Sequence, residues 1–309
     1  MILVCGIPSE PPVRLVVEAA ERLGVGCVVF NQRESHHSEI SVAIRNGQVD
    51  GTLRIREVDW PLRTFSGVYV RLMDYQDLPE NHPRSRTAPE QDNVYKSRLL
   101  HEILVEWLEM ADCLVMNRAS KMNSNASKPF QAQVIMLAGF LTPITLITNN
   151  PDEVRRFLQT HRRVIYKSIS AVRSIVKMLT GAKLNELDKI RYLPTQFQAF
   201  VPGTNIRVHI VGSEVFATEI RSEAADYRYA SRDGLDVEMI PIDLPPVIAA
   251  RCIHLSHVLD LPLCGIDLKC TPDGEYYCFE VNPSPAYSYY QESTGQDIAT
   301  AIVQYLSGL

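Results

Sequence analysis

The sequence predicts a mixed chain, α/β at its start and α+β toward its end. Three observations predict this. Residues 2–30 read strand–helix–strand, with Gly24 closing the helix. Residues 195–220 alternate as antiparallel strands, divided by the turn pairs Pro202-Gly203 and Gly212-Ser213. Last, Cys264-Gly265-Ile266-Asp267-Leu268-Lys269 and Tyr276-Tyr277-Cys278-Phe279-Glu280-Val281-Asn282-Pro283 flank Thr271-Pro272-Asp273-Gly274, whose residues suit a hairpin turn.

The elements follow in order. Ile2 to Cys5 is a strand, Pro12 to Leu23 a helix and Gly26 to Phe30 a strand. Val42 to Ile44 and Gly51 to Ile55 form a hairpin about Asn46-Gly47. Gly67 to Arg71 is a further strand, and Leu78 to Pro89, polar with three prolines, an exposed loop. Apolar spacing of three and four makes Leu99 to Met110 a helix, and Cys113 to Met116 a short strand. Lys128 to Ala138 is helical up to Gly139, Thr142 to Thr148 is extended, and Asn150-Pro151 starts a helix that ends near His161. Val164 to Lys167 is a strand with a lysine at its end. Beyond the antiparallel strands come a helix over Pro246 to Leu259, the hairpin, and a closing helix over Asp297 to Leu306. The divisions expected are 1–118, 119–193 and 194–309.

Composition narrows the function classes. The 309 residues, 46% hydrophobic and 22% charged, can bury a sizeable core. A net charge of −5 argues against a general nucleic-acid binder. No apolar run approaches the ~18 residues of a membrane span, and the start lacks a basic n-region, so the expected setting is cytoplasmic. Seven scattered cysteines without a Cys-x-x-Cys pair suit reduced thiols, and the eight histidines offer no metal spacing and read as surface or packing residues.

The hairpin carries the chemistry. Glu280 and Asn282 are two apart, so on a strand their side chains leave one face, and a hairpin of this length returns them to Asp267. Isolated carboxylates near strand ends are mostly solvated. Here the flanks are apolar and aromatic, and buried acids pair or bind metal. Two carboxylates and an amide oxygen suit Mg²⁺, which shares its shell with phosphates; Mn²⁺ meets the same donors. Cys264 and Cys278 lie near these oxygens, but their sulfur does not suit Mg²⁺, and core packing is the better reading.

From about residue 125 onward, the order of segments resembles the ATP-grasp fold, and within it the RimK-like carboxylate–amine ligases. Asn125-Ala126-Ser127-Lys128 and Gly139-Phe140-Leu141-Thr142-Pro143-Ile144-Thr145 resemble the opening of the family's central domain. Val164-Ile165-Tyr166-Lys167 resembles its lysine strand, and Gln198-Ala199-Phe200-Val201-Pro202-Gly203-Thr204-Asn205-Ile206-Arg207 the adenine hinge and the strand after it. Ala217-Thr218-Glu219-Ile220-Arg221 and Asp226-Tyr227-Arg228 resemble its arginine-bearing strand and loop, and Asp267 with Glu280 and Asn282 its metal motif. The fold implied is an ATP-grasp fold with an N-terminal pre-ATP-grasp domain, a small central domain and a C-terminal antiparallel-sheet domain.

That resemblance implies roles. Lys128 and Lys167 would meet the triphosphate of ATP, and either alone could equally be a solvated lysine. Adenine would lie near Gln198, Ala199, Phe200 and Val201, reading backbone groups, with Gln196 or Gln198 at its amino edge. Asn205 stands where the family carries Asp and can accept from a ribose hydroxyl. Arg207, Arg221 and Arg228 would neutralise phosphate and a developing acyl phosphate, or form structural ion pairs. The loop Ser168-Ile169-Ser170-Ala171-Val172-Arg173-Ser174 lacks the family's glycines, so Ser170 and its neighbours would cover phosphate instead. This loop and the long tail after Pro285 look like the microviridin-type (graspetide) macrocyclising ligases, which join side chains within peptides. The implied partner is a precursor peptide with a leader; an amino acid or small molecule is the alternative. A catalytically inactive nucleotide-binding regulator is the reading from another class. The basic stretch Arg155-Arg156 with His161-Arg162-Arg163 reads as a solvated helix face or as a dock for an acidic leader. The family's assemblies suggest a homodimer or homotetramer.

Overall fold

The computed structural model describes residues 1–81, 91–168, 177–192, 195–222 and 236–309. Contacts group the chain into two compact units. One holds Met1–Met122, Leu261–Leu263 and Ala286–Leu309; the other holds Asn123–Asp260 and Cys264–Pro285.

The first unit begins with β1 (Ile2–Gly6), α1 (Pro11–Arg22) and β2 (Cys27–Asn31). Every residue of β1 is buried, the pattern of a central parallel strand. A three-stranded antiparallel sheet follows, of β3 (Ser38–Arg45), β4 (Gln48–Ile55) and β5 (Val58–Pro61). Its first turn has both Asn46 (φ 51°) and Gly47 (φ 79°) in the left-handed region, the demand of a two-residue hairpin turn. β6 (Gly67–Val70), α2 (Gln91–Met110) and β7 (Leu114–Met116) complete a parallel sheet of order β2-β1-β6-β7. Leu100, Leu104, Trp107 and Leu108 of α2 are buried at helical spacing. α2 begins eight residues before the expected Leu99, because its first two turns are polar and give no apolar period. The expected loop Leu78 to Pro89 lies mostly outside the described residues.

The second unit starts after α3 (Ala119–Met122) with α4 (Lys128–Leu137). Next come β8 (Thr145–Thr148), α5 (Pro151–His161), β9 (Val164–Ser168), β10 (Lys177–Met178), α6 (Gly181–Leu184) and β11 (Thr195–Ala199). Asn150 caps α5 by accepting from Asp152 N at 3.0 Å. The strands form an antiparallel sheet of order β10-β9-β11-β8. Phe197 and Val164 point to its core side with Val154, Leu179 and Leu187.

A five-stranded sheet follows, built from β12 (Thr204–Val211), β13 (Glu214–Ser222), β14 (Val237–Ile242), β15 (Leu263–Cys270) and β16 (Tyr276–Asn282), in the order β14-β13-β12-β15-β16. α7 (Pro246–Leu259) packs on β12 and β13, burying Ile248, Cys252, Leu255 and Leu259. The chain ends with α8 (Ser288–Thr294) and α9 (Ile298–Ser307). By sequence, residues 286–309 belong with the hairpin. By contact they belong with the first unit, because α9 buries Ile298, Ile302, Val303 and Leu306 and packs on α1 and β6. Among the described residues no helix is long and apolar enough to cross a membrane.

β16 is an edge strand, and an edge leaves backbone groups unpaired. A side chain of α4 meets this need. Gln131, 1% exposed, donates Nε2 to Val281 O at 2.9 Å and accepts from Val281 N at 2.9 Å. One amide thus stands in for a neighbouring strand. Replacing Gln131 by Met keeps volume and removes both bonds. The expected loss is about 2–4 kcal/mol of stability from two buried, unpaired backbone groups, read by urea denaturation.

Candidate active site

The hairpin register brings the acidic residues together. Asp267 lies directly opposite Glu280, and Gly265 opposite Asn282. Directly paired residues share a face, so Asp267, Glu280 and Asn282 line one side of the hairpin. The pairing slips by one residue after Asp267: Leu268 faces Cys278, and Phe279 is the extra residue. Such a bulge re-aims side chains. The sequence gives no sign of it.

Arg207 completes this face from β12. It is 6% exposed, and its Nη1 donates to Asp267 Oδ1 at 2.6 Å. A Cβ on Gly265 would lie 2.0 Å from Arg207 Nη2. Glycine at 265 is therefore the space through which the guanidinium reaches the carboxylate. Asn205 lies two residues before Arg207 and on the same face of β12.

His209, two residues after Arg207, is 0% exposed and accepts from Arg207 Nε at 3.4 Å. Burial first, and the Arg207 charge second, hold its pKa well below the ordinary histidine value. Histidine spacing alone reads this residue as surface or packing. Strand parity with Arg207 is the signal that would have singled it out.

Arg221 differs from expectation. Arg207 pairs with Thr218 across β12 and β13, so Thr218 and Ile220 share the Arg207 face and Arg221 leaves the other. There it is exposed, donating to Glu219 at 2.6 Å with Glu238 at 3.6 Å, an ion-pair cluster rather than a partner for Arg207. Ser170 and Arg228 lie outside the described residues. Arg155 and Arg156 are exposed and pair with Asp152 and Glu153 one turn earlier, as a solvated helix face does.

The second part of the site is a cavity of about 400 Å³ in the same unit. Lys128 and Gln133 of α4, Thr145 and Ile147 of β8, Gln196 and Gln198 of β11, and Cys278 and Phe279 of β16 line it. Lys167, 8% exposed, is directly opposite Gln196, so its side chain leaves the cavity face of the sheet.

The hinge backbone is largely occupied. Ala199 N donates to Ile144 O and Phe200 N to Arg163 O, both at 2.9 Å, and Val201 O accepts from Lys269 Nζ at 3.3 Å. Arg163 stacks 3.8 Å from the Phe200 ring centroid. Backbone reading of a base at Ala199 and Phe200 is thus narrower than the sequence implied. The side chains of β11 are the further candidates for that role. Thr145 Oγ1 donates to Pro143 O at 2.8 Å, so it must accept from Gln198 Nε2 at 3.0 Å. This fixes the amide, leaving Gln198 Oε1 as its acceptor. Both Gln198 Oε1 and Gln196 Oε1 are buried without a hydrogen-bond partner. An orphaned buried acceptor costs about 1–3 kcal/mol, which a ligand donor recovers.

Hard oxygen donors suit a divalent cation of the Mg²⁺ type. The nearby thiols do not compete: burial pushes Cys264 up to about 12 and raises Cys278 well above the ordinary thiol value, so both stay protonated. Among the described residues no three His, Cys, Asp or Glu side chains gather as a metal cluster; the candidate set is two carboxylates and an amide.

Residues 126–306 match the model of the RimK-like ATP-grasp domain. A probable alpha-L-glutamate ligase of Vibrio vulnificus (strain YJ016) is 21% identical over 293 residues, covering 86% of this chain and 94% of its own. One from Hydrogenovibrio crunogenus is 22% identical over 297 residues, covering 87% and 95%. Among solved structures, a Chryseobacterium gregarium RiPP-associated ATP-grasp ligase in complex with ADP and a leader and core peptide superposes with a TM-score of 0.80 at 25% identity, covering 99% of this chain and 96% of its own. The macrocyclase MdnC from Microcystis aeruginosa MRC, bound with precursor peptide MdnA, gives 0.79 at 22% identity over 100% of both chains, a likeness of fold.

The Gly265 contact gives a test. Gly265→Ala must push the Arg207 guanidinium away from Asp267. The expected cost is about 1–3 kcal/mol from overpacking, measured by urea denaturation. In the Arg207→Ala background the same substitution should cost much less, since the clashing atoms are gone.

Proposed function

The chain belongs to the RimK-like ATP-grasp family and is an ATP-dependent ligase, and we propose that it activates a peptide carboxylate as an acyl phosphate and joins it to an amine or hydroxyl of the same peptide. The likeness to the RiPP-associated ligase with ADP, leader and core peptide over 99% of this chain carries the peptide reading. Ligation of free glutamate is the second reading, favoured by the relatives named as glutamate ligases.

In this reading the cavity takes adenine, with Gln198 Oε1 and Gln196 Oε1 accepting from its exocyclic amino group. Lys128 and Lys167 bind the phosphates as compact cations. Asn205 accepts from a ribose hydroxyl. Asp267, Glu280 and Asn282 would hold Mg²⁺, or Mn²⁺ in its place. The ion supplies charge neutralisation at the phosphate oxygens.

The substrate carboxylate attacks the γ-phosphorus in line and ADP leaves. Such transfer depends mainly on positioning and charge neutralisation. Arg207 donates to the acyl phosphate, which the amine or hydroxyl attacks with loss of phosphate. Ser170 and Arg228 remain assigned to phosphate and intermediate on family pattern alone, and Arg221 is the weakest member of that set. Residues 119–193 and the sheet-and-hairpin part of 194–309 form the two halves of the cleft, and residues 1–118 help to select substrate.

Incubation with ATP, Mg²⁺ and a peptide rich in Thr, Ser, Lys, Asp and Glu tests the reading. ADP release with loss of one water per bond, seen by mass spectrometry, is expected. Added glutamate mass on an acceptor would favour the second reading instead. Asp267→Asn and Glu280→Gln should each lower kcat/KM by on the order of 100-fold or more. Intact ligation in both would remove the metal assignment.

The fixed amide of Gln198 predicts nucleotide choice. A 6-keto purine presents an acceptor to an acceptor, so ATP should exceed ITP in kcat/KM by at least about 100-fold. Gln198→Leu should shrink that ratio toward unity; competition kinetics with the two nucleotides measure it.

A further inference from the structure

Arg207 is hydrogen-bonded at two of its nitrogens and packed against a glycine at the third. Nη1 donates to Asp267, Nη2 lies over Gly265, and Nε donates to His209 Nε2 at 3.4 Å, a long bond. His209 is fully buried on the same face of β12. Two alternatives at 209 show what a buried neutral imidazole contributes. An apolar side chain would fill the volume but remove the acceptor that Arg207 Nε–H uses. A second carboxylate beside Asp267 would accept the bond but leave the pair net negative where phosphate must bind. A neutral ring orients the guanidinium and adds no further negative charge beside it.

We propose that His209 is a positioning residue for the ligase reaction, accepting from Arg207 Nε and fixing the plane in which the guanidinium meets the transferring phosphoryl group. This rests on the role of Arg207 proposed above. His209 touches no substrate and moves no proton. It acts through Arg207, so its removal should slow turnover while leaving nucleotide binding almost unchanged.

The test compares His209→Leu with His209→Gln, whose amide oxygen reaches the place of Nε2 and restores an acceptor. His209→Leu should lower kcat by about 10- to 100-fold, the scale of small misplacements in a site, with KM for ATP within about two-fold of wild type. His209→Gln should recover most of the loss. In an Arg207→Lys background His209→Leu should add little, because residues acting as one unit are not additive. Should the Leu variant fail to fold, His209→Met carries the same comparison.

A readout independent of turnover is the Arg207 Nε–H signal in heteronuclear NMR of arginine side chains. It should exchange slowly in wild type and His209→Gln and quickly in His209→Leu. Equal losses of kcat in the Leu and Gln variants, with that signal unchanged, would overturn the proposal. A wild-type protein that turns over no carboxylate, while the signal still depends on residue 209, would overturn the ligase reading and leave the positioning intact.

Discussion

A nearly buried guanidinium needs a partner, and much of the second unit is arranged to supply one. Removing a charge from water costs several kcal/mol unless it is paired and hydrogen-bonded. Arg207 finds Asp267 only because β12 and β15 are neighbours, because residue 265 has no side chain, and because the hairpin register sets Asp267 on the matching face. The same register places Glu280 and Asn282 on that face. One ion pair therefore ties Arg207 to the hairpin that carries the candidate metal ligands, and a change in strand register of one residue would undo both.

Gln131 holds the hairpin from its other side. α4 presents Lys128 to the cavity at its first residue and Gln131 to Val281 one turn later. Val281 lies between Glu280 and Asn282. A single helical turn thus sets the spacing between a phosphate lysine and the oxygen donors. The inference is mechanical: a rigid helix and a bidentate amide leave that distance little freedom.

The hairpin, the helices around 12–23, 128–138 and 151–161, and the alternation after 195 were legible because period and turn chemistry agree there. What stayed hidden has physical causes. β5 ends in Pro61 and β14 contains Pro241, and proline argues against a strand in the sequence; both strands are sheet edges, where a missing N–H is tolerated. α8 carries Tyr289-Tyr290, residues that favour strands. Arg221 belongs to a plausible motif, but only pairing with β12 reveals that it leaves the wrong face. His209 stays hidden because histidine spacing carries no metal signal here, and its parity with Arg207 shows only once β12 is a strand.

Specificity at the cavity follows from proton accounting more than from shape. A glutamine amide ordinarily offers a donor and an acceptor and can flip to suit either partner. Thr145 removes that freedom, since its one hydroxyl proton goes to Pro143 O and its lone pair must take the Gln198 N–H. Ala199 and Phe200 have their own N–H groups committed to Ile144 and Arg163. The two orphaned glutamine oxygens of β11 are thus acceptors, and a ligand group that reaches them must bring a donor. An exocyclic amino group meets that condition and a keto oxygen does not. In the proposed reading the choice of base therefore falls to Thr145, on a different strand.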